Sequence, residues 1–231
     1  MKVKFQIPAS LNDIALGDYQ EFQKILKANE GQEDSTFVQM KMLEIFCKAD
    51  PDKLRQADIS VFSFAVDELA KILERKPAYN KIIELDGKKF GFIPKIDAMS
   101  LGEYVDLESY ISDPLTFHKA LTILYRPITM EVKDTYLIEP YKGSDQYAEA
   151  MKEVGLSDAL GAMLFFWTLG RELVEHTIAS LVKESKTMTS EEDLSSQQNG
   201  DGINQLYISQ MEMLLSSMKS QELMFINVCA N

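Results

Sequence analysis

Residues 79–94 read YNKIIELDGKKFGFIP, and this stretch predicts an antiparallel β-hairpin. Two apolar-alternating arms flank Asp86-Gly87, and an Asp-Gly pair in that position is the strongest short-range signal for a two-residue hairpin turn. Gly87 is therefore predicted to be structural. Pro94 is predicted to end the second arm, because proline has no backbone N–H to continue the strand pairing. The predicted hairpin spans about residues 80–93.

Outward from this hairpin, the sequence alternates between short strand patterns and amphipathic helix patterns. Residues 127–139 predict a second hairpin that turns near Lys133-Asp134, and residues 2–7 alternate as a strand does. The helical patterns have apolar residues at intervals of three and four. They cover about residues 16–28, 36–49, 59–76, 100–111, 114–125 and 156–184. The expected fold class is α+β and mostly helical, with small antiparallel hairpins packed with amphipathic helices.

The chain also contains an internal repeat. Residues 14–22 read IALGDYQEF and residues 99–107 read MSLGEYVDL, so a Leu-Gly-acid-Tyr step occurs twice. Ser100 and Glu103 have the spacing of a capping box at the second helix start. The residues of the repeat that are predicted to be structural are Gly17, Tyr19, Ser100, Gly102, Glu103 and Tyr104.

Two interpretations of the repeat remain open. Either two similar strand-to-helix junctions each retained a good helix cap, or a strand-proline-helix unit was duplicated. In both, Gly17 and Gly102 are expected to let a helix start lie close to the sheet.

Composition and charge exclude some classes of partner. The chain has 231 residues and a formal net charge of −12, whereas binding to nucleic acid needs clustered Lys and Arg. The longest apolar run, at 159–169, is about half the ~20 residues of a membrane-spanning helix. Two cysteines are too few for a disulfide framework. We therefore expect a soluble cytoplasmic protein that binds neither nucleic acid nor membrane.

The residues able to carry chemistry are few, and no catalytic residue, metal site or cofactor is predicted. His118 and Cys47 both lie in apolar helical patterns typical of core residues. Glu172, Glu175 and His176 supply at most part of a metal site, because a stable site needs three or four ligands. An enzyme that uses these three residues together with further ligands is a distant alternative.

Three regions are expected along the chain. Residues 1–184 form a globular α+β domain, residues 185–202 a flexible acidic and polar linker, and residues 203–231 a C-terminal amphipathic helical segment. Flexible methionine side chains suit surfaces that adapt to several partners. The predicted partner-binding stripe of this segment consists of Leu206, Met211, Leu214, Leu215 and Met218.

Three longer runs of sequence carry a family resemblance. They are LDGKKFGFIPKIDAMSLGEYVDLESYISDPLTFHKALTILYRPIT at 85–129, IPASLNDIALGDYQEF at 7–22 and YLIEPYKGSDQYAEAM at 136–151. Together they resemble an uncharacterised family of tailed-bacteriophage proteins, over about residues 3–184. The hairpin followed by the LGEY helix is similar to the body of phage tail assembly chaperones.

The resemblance implies a non-enzymatic protein without cofactors that acts in the host cytoplasm. Its partners would be phage tail proteins, in particular tape-measure and tail-tube subunits, or other virion proteins, and self-association is a further option. The alternative is a structural component of the virion, such as a head, connector or cargo protein.

Overall fold

The computed structural model describes residues 6–95, 99–133 and 135–188, and it confirms a mostly helical α+β fold. The chain divides into two compact units, Met1–Ala162 and Met163–Asn231. The helices are α1 Leu16–Ala28, α2 Thr36–Phe46, α3 Pro51–Leu54, α4 Ile59–Leu73, α5 Leu101–Ile111, α6 Phe117–Leu124, α7 Ala148–Met151 and α8 Leu156–Met188. The strands are β1 Ile82–Leu85, β2 Lys88–Phe92, β3 Tyr125–Val132 and β4 Thr135–Ile138.

The four strands form one antiparallel sheet in the order β1-β2-β3-β4. Both predicted hairpins, at 80–93 and 127–139, are present as β1–β2 and β3–β4. Asp86 has φ 49° and Gly87 has φ 72°, and a type I′ turn needs a positive φ at both of its central residues. Gly87 thus occupies a turn position whose positive φ favours glycine.

Strand β3 begins at Tyr125, earlier than the sequence pattern predicts. The helical pattern at 114–125 was expected to end at Tyr125, but α6 stops at Leu124. Tyr125 pairs with Phe92 across the β2–β3 ladder, and its side chain is fully buried. The Tyr125 and Phe92 rings pack edge to face, with their centroids 5.3 Å apart. Pairing with β2 and burial of this aromatic ring favour the strand, and tertiary contacts of this kind override a local helical pattern.

Two predicted boundaries need correction. Helix α8 continues to Met188, so residues 185–188 are helical and do not begin a linker; no glycine or proline interrupts residues 171–188. Ile7 has no regular secondary structure. The rest of the strand predicted at 2–7 lies largely outside the described residues.

The second half of the chain is described only in part. The described residues of the second unit, 163–188, continue α8, where the Phe166 and Trp167 rings lie 5.8 Å apart in an edge-to-face arrangement. The predicted linker residues 189–202 and the whole segment 203–231 lie outside the described residues. None of the helices in the described part of the chain is both long and apolar enough to cross a membrane.

Candidate interaction surface

Helix α5 begins with the capping box that the sequence predicts. The Ser100 hydroxyl accepts a hydrogen bond from the Glu103 backbone N–H at 3.3 Å, and Glu103 Oε2 accepts one from the Ser100 N–H at 2.7 Å. Two of the backbone donors that every helix start leaves without an intrahelical partner are thereby satisfied. The capping box predicted from Ser100 and Glu103 is therefore present at the start of α5.

Glu103 also connects α5 to the sheet. Its Oε1 lies 2.8 Å from Nη2 of Arg126 on β3, and the two side chains are only 8% and 11% exposed. Sequence reasoning missed this partner. The available signal was a single arginine within the apolar run LTILYRPI at 121–128, because a charge in such a run is buried only when it is paired.

The inner face of α5 has further anchors. Leu107 and Ile111 are buried, and α5 packs against α6. The Tyr141 hydroxyl donates a hydrogen bond to Asp106 Oδ2 at 2.5 Å. Burial, followed by this hydrogen bond to the carboxylate, raises the pKa of Tyr141, so the phenol stays protonated and keeps donating. The helix is therefore held in a defined orientation.

The outer face of α5 is apolar and exposed. Leu101, Tyr104 and Val105 are 79%, 55% and 49% exposed. Their spacing of i, i+3 and i+4 places them on one face of the helix, and we call this set the α5 stripe. An exposed helix face is ordinarily polar, and contiguous exposed apolar side chains mark interaction surfaces. The α5 stripe is thus the candidate interaction surface.

The first copy of the repeat shows how such a stripe is covered inside this chain. Leu16 and Tyr19, which correspond to Leu101 and Tyr104, are both buried. The Leu16 N–H donates to the Val154 carbonyl at 2.8 Å, and Ala15 forms an antiparallel bridge with Gly155. The same Leu-Gly-acid-Tyr step is therefore covered at α1 and exposed at α5.

The two glycines of the repeat also differ. The Gly17 N–H donates to the Lys152 carbonyl at 2.7 Å, and a Cβ at Gly17 would lie 3.2 Å from the Lys152 Cβ. Gly17 thus permits a close approach, although to the 152–155 segment and not to the sheet. Among the described residues outside α5 itself, no atom lies within 4 Å of a Cβ built at Gly102. The expectation that Gly102 lets α5 lie close to the sheet is wrong.

Pro94, Cys47 and His118 are not part of the α5 stripe. Pro94 is exposed in a bend just after β2. Cys47 is buried, and burial raises the pKa of its thiol to about 11, which leaves it protonated and unreactive at neutral pH. His118 is also buried, and its Nδ1 lies 3.0 Å from Gln20 Nε2 on α1.

The residues of the distant enzyme alternative are exposed on α8: Glu172, Glu175 and His176. In the part of the chain that the structure describes, no group of three or more His, Cys, Asp or Glu side chains is arranged to hold a metal ion. The five residues of the predicted C-terminal stripe, Leu206, Met211, Leu214, Leu215 and Met218, lie outside the described residues, so that prediction stays untested.

Comparison of the chain with protein-family models, with curated proteins and with solved structures returned no match. The fold and the surface define a mostly helical α+β protein that presents an apolar helix face.

Proposed function

We propose that this chain is a non-enzymatic phage assembly protein, specifically a tail assembly chaperone that binds tape-measure or tail-tube subunits in the host cytoplasm. The observation that carries the proposal is the exposed α5 stripe, an apolar helix face on an anchored helix. The stripe lies within residues 85–129, the longest of the three runs that resemble phage proteins. Subunits that polymerise later have apolar surfaces to protect, and such a stripe can cover them.

The size of the stripe suits transient binding. Complete burial of a fully exposed large apolar side chain contributes about 1.5–3 kcal/mol. Because Tyr104 and Val105 are already about half-buried, the three stripe side chains together contribute roughly 3–5 kcal/mol. Association itself costs roughly 4–15 kcal/mol. The stripe alone would therefore bind weakly, which suits a chaperone that must release its client. Additional contacts, for which the C-terminal stripe at 206–218 remains the predicted source, would strengthen the complex.

The first experiment is mass spectrometry of purified phage particles beside the infected-cell lysate, scored for peptides of this chain. A chaperone is abundant in the lysate and absent from the particles. Tens of copies per particle would contradict the proposal and would indicate the alternative, a structural virion component.

The contribution of the C-terminal segment is tested separately. Truncation after Met188 removes residues 189–231 and leaves every described residue of α8 in place. If the segment binds the client, the truncated chain no longer co-purifies with the tail protein that the full-length chain captures. Unchanged co-purification would reject the C-terminal stripe and leave the α5 stripe as the binding surface.

A further inference from the structure

We infer that the occupant of the α5 stripe is a segment of a partner protein that carries Lys or Arg beside its apolar side chains. This inference rests on the proposed function, because it names the chemistry of the client at the same surface. A second copy of this chain and an acidic or uncharged apolar segment are the competing occupants.

The charges on α5 support a basic partner. The helix contains Glu103, Asp106 and Glu108 and no basic residue. Glu103 is paired with Arg126, whereas Glu108 is exposed and forms no ion pair within the described part of the chain. Glu108 follows Tyr104 by four residues, so it lies one turn beyond the stripe on the same side of the helix. An apolar contact on this face therefore has a carboxylate directly beside it.

The nearest lysine on the neighbouring helix does not cancel this charge. Lys119 on α6 lies over the Tyr110 ring, with its Nζ 5.3 Å from the ring centroid. The same Nζ is 2.9 Å from Asp145 Oδ1. Its positive charge is thus already engaged, and Asp113, just beyond the end of α5, adds a further carboxylate. From Leu101 to Asp113, every charged residue of the helix and its C-terminal end is therefore acidic.

A second copy of this chain fits the α5 stripe less well than a basic partner does. Each chain has a formal net charge of −12. If two α5 stripes packed in parallel, the two Glu108 side chains would approach each other across the contact. An antiparallel pair would still bring two strongly negative chains together, and like charges brought together at an interface oppose binding. A partner with Lys or Arg in that position gains attraction where a second copy meets repulsion.

The test compares two synthetic amphipathic helical peptides with the same leucine ridge, one flanked by lysines and the other by glutamates. Fluorescence anisotropy with the full-length chain gives both affinities. We expect the lysine peptide to bind at least about 10-fold more tightly and to lose affinity as salt rises, because added salt screens charge attraction. The Glu108→Lys variant should reduce that preference.

Matched variants locate the binding. Leu101→Ser combined with Val105→Ser removes two exposed side chains of the stripe and should weaken lysine-peptide binding by about 10-fold or more. Ile59→Ser combined with Phe64→Ser removes two exposed apolar side chains of α4 and is the control, with affinity unchanged. Circular dichroism and urea unfolding verify that both double variants remain folded.

Three outcomes would overturn the inference. Equal affinity for the two peptides would show that the charge of the partner does not affect binding. Equal weakening by the stripe and control variants would show that the peptide does not bind at the α5 stripe. A concentration-dependent dimer in sedimentation velocity that the stripe variant abolishes would identify a second copy as the occupant. The particle mass spectrometry is independent of these peptides, so a failed peptide test leaves the proposed assembly function standing, and the reverse also holds.

Discussion

At the scale of single residues, Glu103 helps to position α5 through both oxygens of its carboxylate. One carboxylate oxygen caps the helix through the Ser100 N–H, and the other pairs with Arg126. Removing two charges from water costs free energy. Their mutual attraction offsets that cost only when both partners are present and their hydrogen-bond geometry is good. The pair therefore fixes where the helix sits more than it adds net stability.

Substitutions at this pair separate the two contributions. Glu103→Gln keeps an oxygen for the cap but leaves Arg126 buried without its counter-charge, so we expect a loss of about 3 kcal/mol in the free energy of unfolding. Ser100→Ala should cost only about 1 kcal/mol, because it removes a single capping hydrogen bond. Urea denaturation measures both. Equal losses in the two variants would mean that the ion pair contributes nothing beyond the cap.

His118 gives the protein a specific pH dependence. Burial, followed by the charge of Lys152, lowers the imidazole pKa below its ordinary value of 6.5 in the folded state; Lys119 and Lys24 act in the same direction and Glu149 against it. The unfolded chain therefore binds the proton more readily. The contribution of neutral His118 to the free energy of unfolding is fully present above pH 6.5. It decreases as the pH falls through the imidazole pKa of the unfolded chain towards the lower pKa of the folded protein.

The corresponding measurement is urea unfolding at about pH 7.5 and about pH 5.5. The wild-type chain should lose more stability between these pH values than His118→Asn, whose side chain stays neutral and can still accept a hydrogen bond from Gln20. His176→Asn is the matched control, because the other histidine is exposed on α8, and it should behave as the wild type does. An identical pH dependence in His118→Asn would assign the effect to other groups.

At the scale of elements, the two helix starts of the repeat are alike in sequence and different in surroundings. Both begin with Leu-Gly-acid-Tyr, but α1 approaches residues 152–155 closely at Gly17, whereas no described neighbour outside α5 lies within 4 Å of a Cβ at Gly102. The acids differ as well: Asp18 forms a partly exposed ion pair with Lys48 at 2.6 Å, whereas Glu103 is buried. Good helix-start chemistry is local, and it does not determine which face another segment covers.

The same substitution at the two glycines tests this difference. Gly17→Leu should destabilise the protein by about 1–3 kcal/mol, because its side chain must fit where the Lys152 Cβ and carbonyl already lie. Gly102→Leu should leave stability unchanged or raise it by up to about 1 kcal/mol, because leucine favours a helix more than glycine does. Thermal unfolding compares the pair. A large loss at Gly102 would show a close neighbour there and would restore the structural role that the sequence suggested.

At the scale of the whole molecule, the net charge of −12 disfavours anionic partners. Nine ion pairs form among the described residues, and eight of them involve a lysine. Many of the cations are thus already neutralised, while the chain as a whole carries −12. Counterion release requires several free Lys or Arg side chains in a cluster, and the negative net charge opposes the approach of another polyanion.

We therefore expect no retardation of short duplex DNA in a gel-shift assay, even at about 50 mM salt, where electrostatic attraction is least screened. A basic DNA-binding protein of similar mass run in parallel shows that the assay detects binding. A shift produced by this chain that disappears at higher salt would contradict the charge argument.

The sequence alone determined the local features. The β1–β2 hairpin followed from Asp86-Gly87, and the α5 cap followed from Ser100 and Glu103, because turn and cap chemistry depend on residues within a few positions of one another. Only the tertiary structure decided that Arg126 pairs with Glu103, that β3 starts at Tyr125, and that one copy of the repeat is covered while the other is exposed. Those outcomes depend on contacts between residues far apart in the chain, which no local pattern specifies.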